Sequence, residues 1–377
     1  MIRIGRATLY LAEMPLVAPF VTSFGEQRVR QALLVALESD GRTGWGECVA
    51  GTGPWFSPET TETARHVILD FVLPLLSRWE IGHPREFPSL VAPIRGHAMA
   101  KAAVEAALWD LHAQTEGVPL AALLGGTRDR VPAGVSVGIQ PDVETLVSRV
   151  AGYVGEGYRR VKLKVKPGWD LEPLAAVRER FPDLPLSVDA NAAYALADAA
   201  HLREFDRFGL LMVEQPLAHD DLVGHAQLAE ALRTPLCLDE SITSPGRAWE
   251  ALELGACRIL NVKQGRLGGL SAVLEVHELA QERGVPLWCG GMLETGIGRA
   301  LNAAVASLPG FTLPHDISAT DRYYREDIAT PPFRLEDGHI RVPTRPGLGV
   351  EVDLARLQRY AVAMWAWRRR GGKDDEG

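Results

Sequence analysis

The sequence lacks the marks of several large protein classes. Its 377 residues include only four cysteines, Cys48, Cys237, Cys257 and Cys289. They are scattered and form no CxxC pair, which argues against a disulfide framework or a cysteine zinc site and for four small buried side chains in a reducing compartment. Long apolar runs are missing, and stretches such as Val67 to Leu76 are too short to cross a bilayer. Met1 leads straight into a β-like run with no signal-peptide pattern, so a cytoplasmic location is the default expectation. No basic patch accompanies the net charge of −8, so neither nucleic acid nor a membrane is an expected partner. No Gly-rich phosphate loop follows the first strand-like run, which weakens an open dinucleotide-binding sheet. The tail from Arg368, RRRGGKDDEG, has no apolar periodicity and reads as a frayed end.

What is present is material for a core and a repeat to organise it. Hydrophobic residues make up 46 % and charged residues 23 %, a globular composition. β-rich runs recur at 134–139, 160–165, 185–190, 210–215, 235–240, 257–263 and 285–290, with a short, weak eighth at 311–313. Between them apolar residues recur at helical spacing, as in Leu174, Val177 and Phe181 or Leu270, Val273, Val276 and Leu279. Strands alternating with helices predict βα units and a parallel sheet, and eight units predict a closed barrel. Residues 1–127 read as an α+β domain placed before the barrel, with a helix over Met99–Thr115. The barrel spans 128–320, and 321–377 returns to the first domain.

The chemistry shows in the spacing. Lys164, Asp189, Glu214, Asp239 and Lys263 are separated by 25, 25, 25 and 24 residues, each at or near the C-terminal end of a predicted strand. In a parallel barrel those ends share one face, where active sites are built. One charged residue at a strand end is ordinarily a solvated loop residue. Five in register converge on one mouth. Asp189, Glu214 and Asp239 fall on neighbouring strands three, four and five, where three carboxylates repel unless a cation lies between them. With no His or Cys beside them, the oxygen-only set suits Mg²⁺ or another hard divalent cation and not zinc. Lys164 and Lys263, on strands two and six, lie roughly opposite each other and can address two faces of one substrate carbon. A nearby cation and partial burial would lower a lysine's pKa toward that of a working base. Arg266 either adds to that effect or is a surface residue of the following loop.

These residues sit in KLKVKPGWD (162–170), VDAN (188–191), EQPL (214–217), LDES (238–241), NVKQGRLGG (261–269) and WCGGMLETGIGR (288–299). With PLVAPFVTSFG (15–25) and GWGEC (44–48), they resemble the o-succinylbenzoate synthase / N-acylamino acid racemase group of the enolase superfamily, over almost the whole chain. The resemblance implies a (β/α)7β TIM-like barrel under an α+β capping domain, with Mg²⁺ on Asp189, Glu214 and Asp239. It implies Lys164 and Lys263 as the acid/base pair, with Lys162 beside the bound carboxylate. It places Asn191, Ser136, Gly291, Met292 and Leu293 at the substrate, and Phe20, Thr22, Ser23, Phe24 and Phe56 on capping loops. Glu240, Arg266 and Asp316 would stand behind them. Ser136 is alternatively an inward barrel filler, and Phe20 and Phe24 ordinary core.

Two positions depart from the group. Gln264 replaces a frequent Pro, a minor loop change. His315 stands where Gly is common, and either reaches substrate or bonds Asp316. The implied activity is o-succinylbenzoate synthesis in the menaquinone pathway, with N-acyl or N-succinylamino acid racemisation as a second activity or as the main one. A muconate-cycloisomerase-like enzyme is a further alternative. A non-catalytic binding barrel is the contrasting class, against which the intact set of five residues speaks. A homo-oligomer is expected.

Overall fold

The structure, a computed structural model, describes residues 1–22 and 25–369. Ser23, Phe24 and the end of the tail lie outside the described residues, and so do the expectations placed on them.

Three long antiparallel strands, Arg6–Thr22, Gly25–Ser39 and Arg42–Cys48, begin the chain. The strand Ala361–Arg368 pairs with the first of them, giving a four-stranded sheet to which the chain returns at its far end. The helix Ala98–Glu116 packs against this sheet and is buried over most of its length. Alanine makes it a good helix former and keeps it thin enough for close approach. At Gly46 on the third strand a Cβ would stand 1.9 Å from the Ala103 carbonyl oxygen, so only glycine admits the helix there. The helix stops at Gly117, whose φ of 70° lets the last turn close on itself.

Seven parallel strands follow in sequence order: Gly134–Val137, Arg160–Lys164, Leu186–Asp189, Val213–Glu214, Leu236–Leu238, Ile259–Val262 and Leu287–Cys289, here called barrel strands one to seven. All are shorter than the β-rich runs that predict them. The eighth stave is the segment from Phe311 to His315. It is no regular strand, but Phe311 bridges Leu287 of strand seven and His315 bridges Ala133 beside strand one, both in parallel sense. Those two bridges close the sheet into the expected (β/α)7β barrel. Strand interiors are fully buried, as a sheet covered by helices outside and packed by its own side chains inside requires. Among the described residues no helix is long and apolar enough to cross a membrane.

The segment from 321 onward divides its contacts. Its last strand joins the N-terminal sheet, whereas His339–Arg341 pairs with Arg130–Pro132 near the start of the barrel.

Candidate active site

Register explains why a period of 25 residues gathers charge. Lys164 is paired with Asp189 across barrel strands two and three, and Asp189 with Glu214 across three and four. Asp239 and Lys263 directly follow strands five and six. All five side chains are buried, the three acids at 1 %, 0 % and 0 % exposure. Buried charge needs a partner. Lys162 donates to Glu214 at 2.8 Å and lies 3.3 Å from Asp189; Lys164 donates to Asp189 at 2.6 Å; Lys263 donates to Asp239 at 2.7 Å. Burial alone would lower the Lys162 pKa, but Asp316, Glu214 and Asp189 together hold it above its ordinary value. Burial would likewise raise Asp189, and the Lys164 and Lys162 ammonium groups outweigh it, leaving the carboxyl depressed.

The lysines open onto one cavity of about 250 Å³, between the barrel mouth and the N-terminal domain. Lys162, Lys164, Asp189 and Lys263 line it, and so do Ser136, Asn191, Gly291, Met292, Leu293, Phe20, Thr22 and Phe56. Glu214 and Asp239 are not among its lining residues. Phe20 is half-buried and meets Tyr323 edge-on at 6.4 Å, so it is a wall of the cavity and not interior packing. Ser136 also reaches the cavity and donates to Asp316 at 3.0 Å. At Gly290 a Cβ would stand 2.2 Å from Asn261 Oδ1 and 2.7 Å from Lys263 Cε, so the bare backbone is what lets strand seven approach the lysine.

Residues expected behind the site sort less simply. Asn191 accepts from Lys164 at 2.6 Å and donates to Glu240 at 2.8 Å, and burial followed by the Asp189 charge raises the Glu240 pKa. Arg266 is not the surface residue that one reading allowed. It is buried, pairs with Asp239, and donates to the carbonyls of Ile242 at 2.6 Å and Asn261 at 2.5 Å. Burial pushes its pKa down to about 9. Asp316 lies at the cavity itself, gripped by Arg160, Lys162 and Ser136. Burial opposes ionisation there, but Arg160 and Lys162 hold the Asp316 carboxyl well below the usual range. His315 takes neither expected role: fully buried, it accepts from the Cys289 N–H at 3.1 Å, and burial drops its pKa to about 3, so it stays neutral. Gln264, expected to be a minor loop change, is buried with both amide atoms unpartnered.

Sequence reasoning missed several residues. Gln215 is fully buried with φ 38°, and its side chain accepts from the backbone N–H of Asp239 and Ser241 and donates to Ser241 Oγ. It ties the ends of strands four and five and so fixes Asp239; its position directly after Glu214 was the available signal. Glu47, in the GWGEC stretch, crosses from the N-terminal sheet to accept from Thr295 and Gly298 at the start of the helix Gly296–Ala306. Trp288 carries Arg160 on its ring at 4.7 Å and Lys162 at 4.6 Å.

The donor set fits a hard divalent cation in its chemistry. Three buried carboxylates supply only oxygen, and two further buried acceptors nearby, Asn261 Oδ1 and Glu240 Oε2, have no hydrogen-bond donor. Among the described residues the acids are not already gathered as a metal cage; lysine ammonium groups neutralise them instead.

Comparison with known proteins places the chain in a family. Residues 145–356 match the enolase C-terminal domain-like family, and residues 6–125 the N-terminal domain of the mandelate racemase / muconate lactonizing enzymes. The o-succinylbenzoate synthase of Geobacillus kaustophilus is 52 % identical over 349 residues, 92 % of this chain and 93 % of that protein. The N-succinylamino acid racemase of an Amycolatopsis species is 50 % identical over 349 residues, 92 % of this chain and 95 % of that one. An enolase-superfamily member from Listeria innocua superposes with a TM-score of 0.95 at 42 % identity, covering 98 % of this chain and 100 % of that one. A dipeptide epimerase from Cytophaga hutchinsonii, whose structure holds Mg and a dipeptide, shares the fold with a TM-score of 0.88 at 24 % identity, covering 97 % of this chain and 100 % of that one. The chain therefore belongs to the enolase superfamily, to its family of o-succinylbenzoate synthases and N-succinylamino acid racemases, enzymes of the lyase and isomerase kinds.

Proposed function

We propose that this enzyme dehydrates 2-succinyl-6-hydroxy-2,4-cyclohexadiene-1-carboxylate to o-succinylbenzoate through an enediolate, and that it also racemises N-acyl or N-succinyl amino acids. The observation that carries the reading is one cavity onto which Lys164, at the end of barrel strand two, and Lys263, just after strand six, both open.

A proton beside a carboxylate is weakly acidic, so the charge that develops on removing it must be met. Asp189, Glu214 and Asp239 would hold Mg²⁺, which when bound supplies positive charge against the substrate carboxylate. Lys162, fixed as an ammonium group by its three acids, adds a second positive charge on the same side. Lys164 takes the proton from the carbon bearing the carboxylate. In the dehydration the neighbouring hydroxyl then departs with a proton from Lys164 as water, and the ring becomes aromatic. Lys263 stays cationic on the other face, where a ring favours a cation. In racemisation Lys263 delivers a proton to the face opposite the one Lys164 deprotonated.

Racemisation is retained because there are two lysines where dehydration needs one. The acylated substrate follows from Asp316, whose carboxylate already accepts from Arg160, Lys162 and Ser136 and has little left to offer a free ammonium group. The test is loss of the diene's absorbance in the presence of Mg²⁺, with Lys164→Ala and an EDTA blank in parallel. Turnover that vanishes in both controls supports the reading. No turnover removes the synthase, and α-proton exchange of N-succinyl amino acids then tests the racemase alone.

A further inference from the structure

The two lysines are held in unlike ways. Lys164 is held wholly by the barrel: its ammonium donates to Asp189 and Asn191, at and just beyond the end of the neighbouring strand. Among the described residues no aromatic ring faces it. Lys263 bonds Asp239 on the barrel side, and on its other side its Nζ lies 4.5 Å from the centre of the Phe56 ring. Phe56 does not belong to the barrel. It sits between the strand Arg42–Cys48 and the helix Thr61–Val67, in a stretch with one bridge, Gly51 to Thr60, and a neighbour, Trp55, that is 70 % exposed. Phe56 packs against the core of the N-terminal domain and lines the cavity. The other lysine with a ring, Lys162, uses Trp288 of barrel strand seven, a contact internal to the barrel.

We propose that Phe56 is a positioning residue for Lys263, so that proton transfer on one face of the substrate is governed by the N-terminal domain and transfer on the other face by the barrel alone. The physical basis is the attraction of an ammonium group to an aromatic face, which strengthens when water is excluded. Lys263 has a long, flexible side chain with one ionic partner. The ring narrows the directions its ammonium group can take and ties them to a loop outside the barrel. Lys164, fixed between two barrel acceptors, has no such dependence. The lysine pair is thus asymmetric in control although symmetric in chemistry. This rests on the proposed racemisation and deepens it.

The test is α-proton exchange in D₂O with Mg²⁺, followed by NMR on N-succinyl-L-phenylalanine and N-succinyl-D-phenylalanine separately. The enantiomer whose exchange is lost in Lys263→Ala identifies the Lys263 face. Phe56→Leu keeps the apolar bulk and removes the aromatic face. The ratio of Lys263-face to Lys164-face exchange is expected to fall on the order of tenfold, and Phe56→Tyr is expected to restore the wild-type ratio. A general loosening of the fold lowers both enantiomers together and leaves their ratio unchanged, which overturns the proposal. An unchanged rate for both also overturns it. Wild-type protein that exchanges neither enantiomer overturns the racemase reading and this proposal with it, a result distinct from the other two.

Discussion

Glu47 offers a sharp physical test of how the N-terminal domain grips the barrel. The carboxyl is fully buried, and burial moves its pKa from 4.5 up to about 7, with Arg30 opposing and Glu294 adding to the rise. A carboxyl held above its unfolded value keeps its proton longer in the folded state. Its contribution to stability is therefore complete below about pH 4.5 and is lost as pH rises through about 7. The displacement corresponds to ~3 kcal/mol at most. Glu47→Gln keeps the shape and an acceptor for the Thr295 and Gly298 N–H groups but cannot ionise. Two other buried acids, Glu105 at about 7 and Asp110 at about 6, titrate in the same window, yet they are present in both proteins and cancel in the difference. Asp189 and Asp316 are displaced downward and act only at acid pH. Thermal unfolding of the two proteins from pH 5 to pH 8 measures the difference. Glu47→Gln is expected to gain on the wild type between pH 5 and about 7, by up to ~3 kcal/mol, and to level off above that. A gap that does not change with pH refutes the reasoning, because it means the Glu47 proton is not coupled to folding.

Three further outcomes are expected. Gly290→Ala places a methyl group against Asn261 and Lys263; overpacking costs about 1–3 kcal/mol, and proton-exchange rates should fall more than the unfolding temperature does. Lys162→Met leaves Asp189, Glu214 and Asp316 without a shared counter-charge; removing one partner from buried ion pairs costs about 3–5 kcal/mol, to be read by denaturant unfolding. Chelation should abolish α-proton exchange and added Mg²⁺ should restore it, with isothermal titration to the stripped protein locating the affinity; Asp239→Asn should weaken that binding by tenfold or more in Kd.

The five charged residues were legible because their signal is periodic. A repeat of one βα unit, set against a parallel sheet whose neighbours pair in sequence order, carries each strand end to the same rim. What escaped is what depends on distance across the molecule. Gln215 acts inside its own strand end, but its hydrogen bonds to Asp239 and Ser241 require strands four and five to be adjacent in space. Glu47 belongs to a domain whose orientation on the barrel no local pattern encodes; Phe56 was placed on a capping loop by the family resemblance, but its approach to Lys263 was not legible for the same reason. His315 was misplaced for the same reason: its backbone closes the barrel, so its ring accepts from the Cys289 N–H and does not line the cavity. Arg266 shows why the open alternative fails: a charged residue after a strand is ordinarily solvated, but here Asp239 and two carbonyls draw it inside, behind the site where the resemblance placed it.

The unevenness of the barrel wall has a mechanical consequence. Seven staves are fastened by runs of strand pairing, and the eighth by two bridges, from Phe311 to Leu287 and from His315 to Ala133. A cylinder joined so is a sleeve with a seam, irregular in pairing though backbone hydrogen bonds hold it on both sides, as from Thr312 to Leu287 and from His315 to Pro132. Here the seam ends at Asp316, whose N–H is pinned to the Cys289 carbonyl and whose carboxylate closes over Lys162. A shift of this stave would be felt at Asp316 and, through Lys162, at Asp189 and Glu214. The least regular edge of the barrel is thus wired to its charged cluster and not insulated from it.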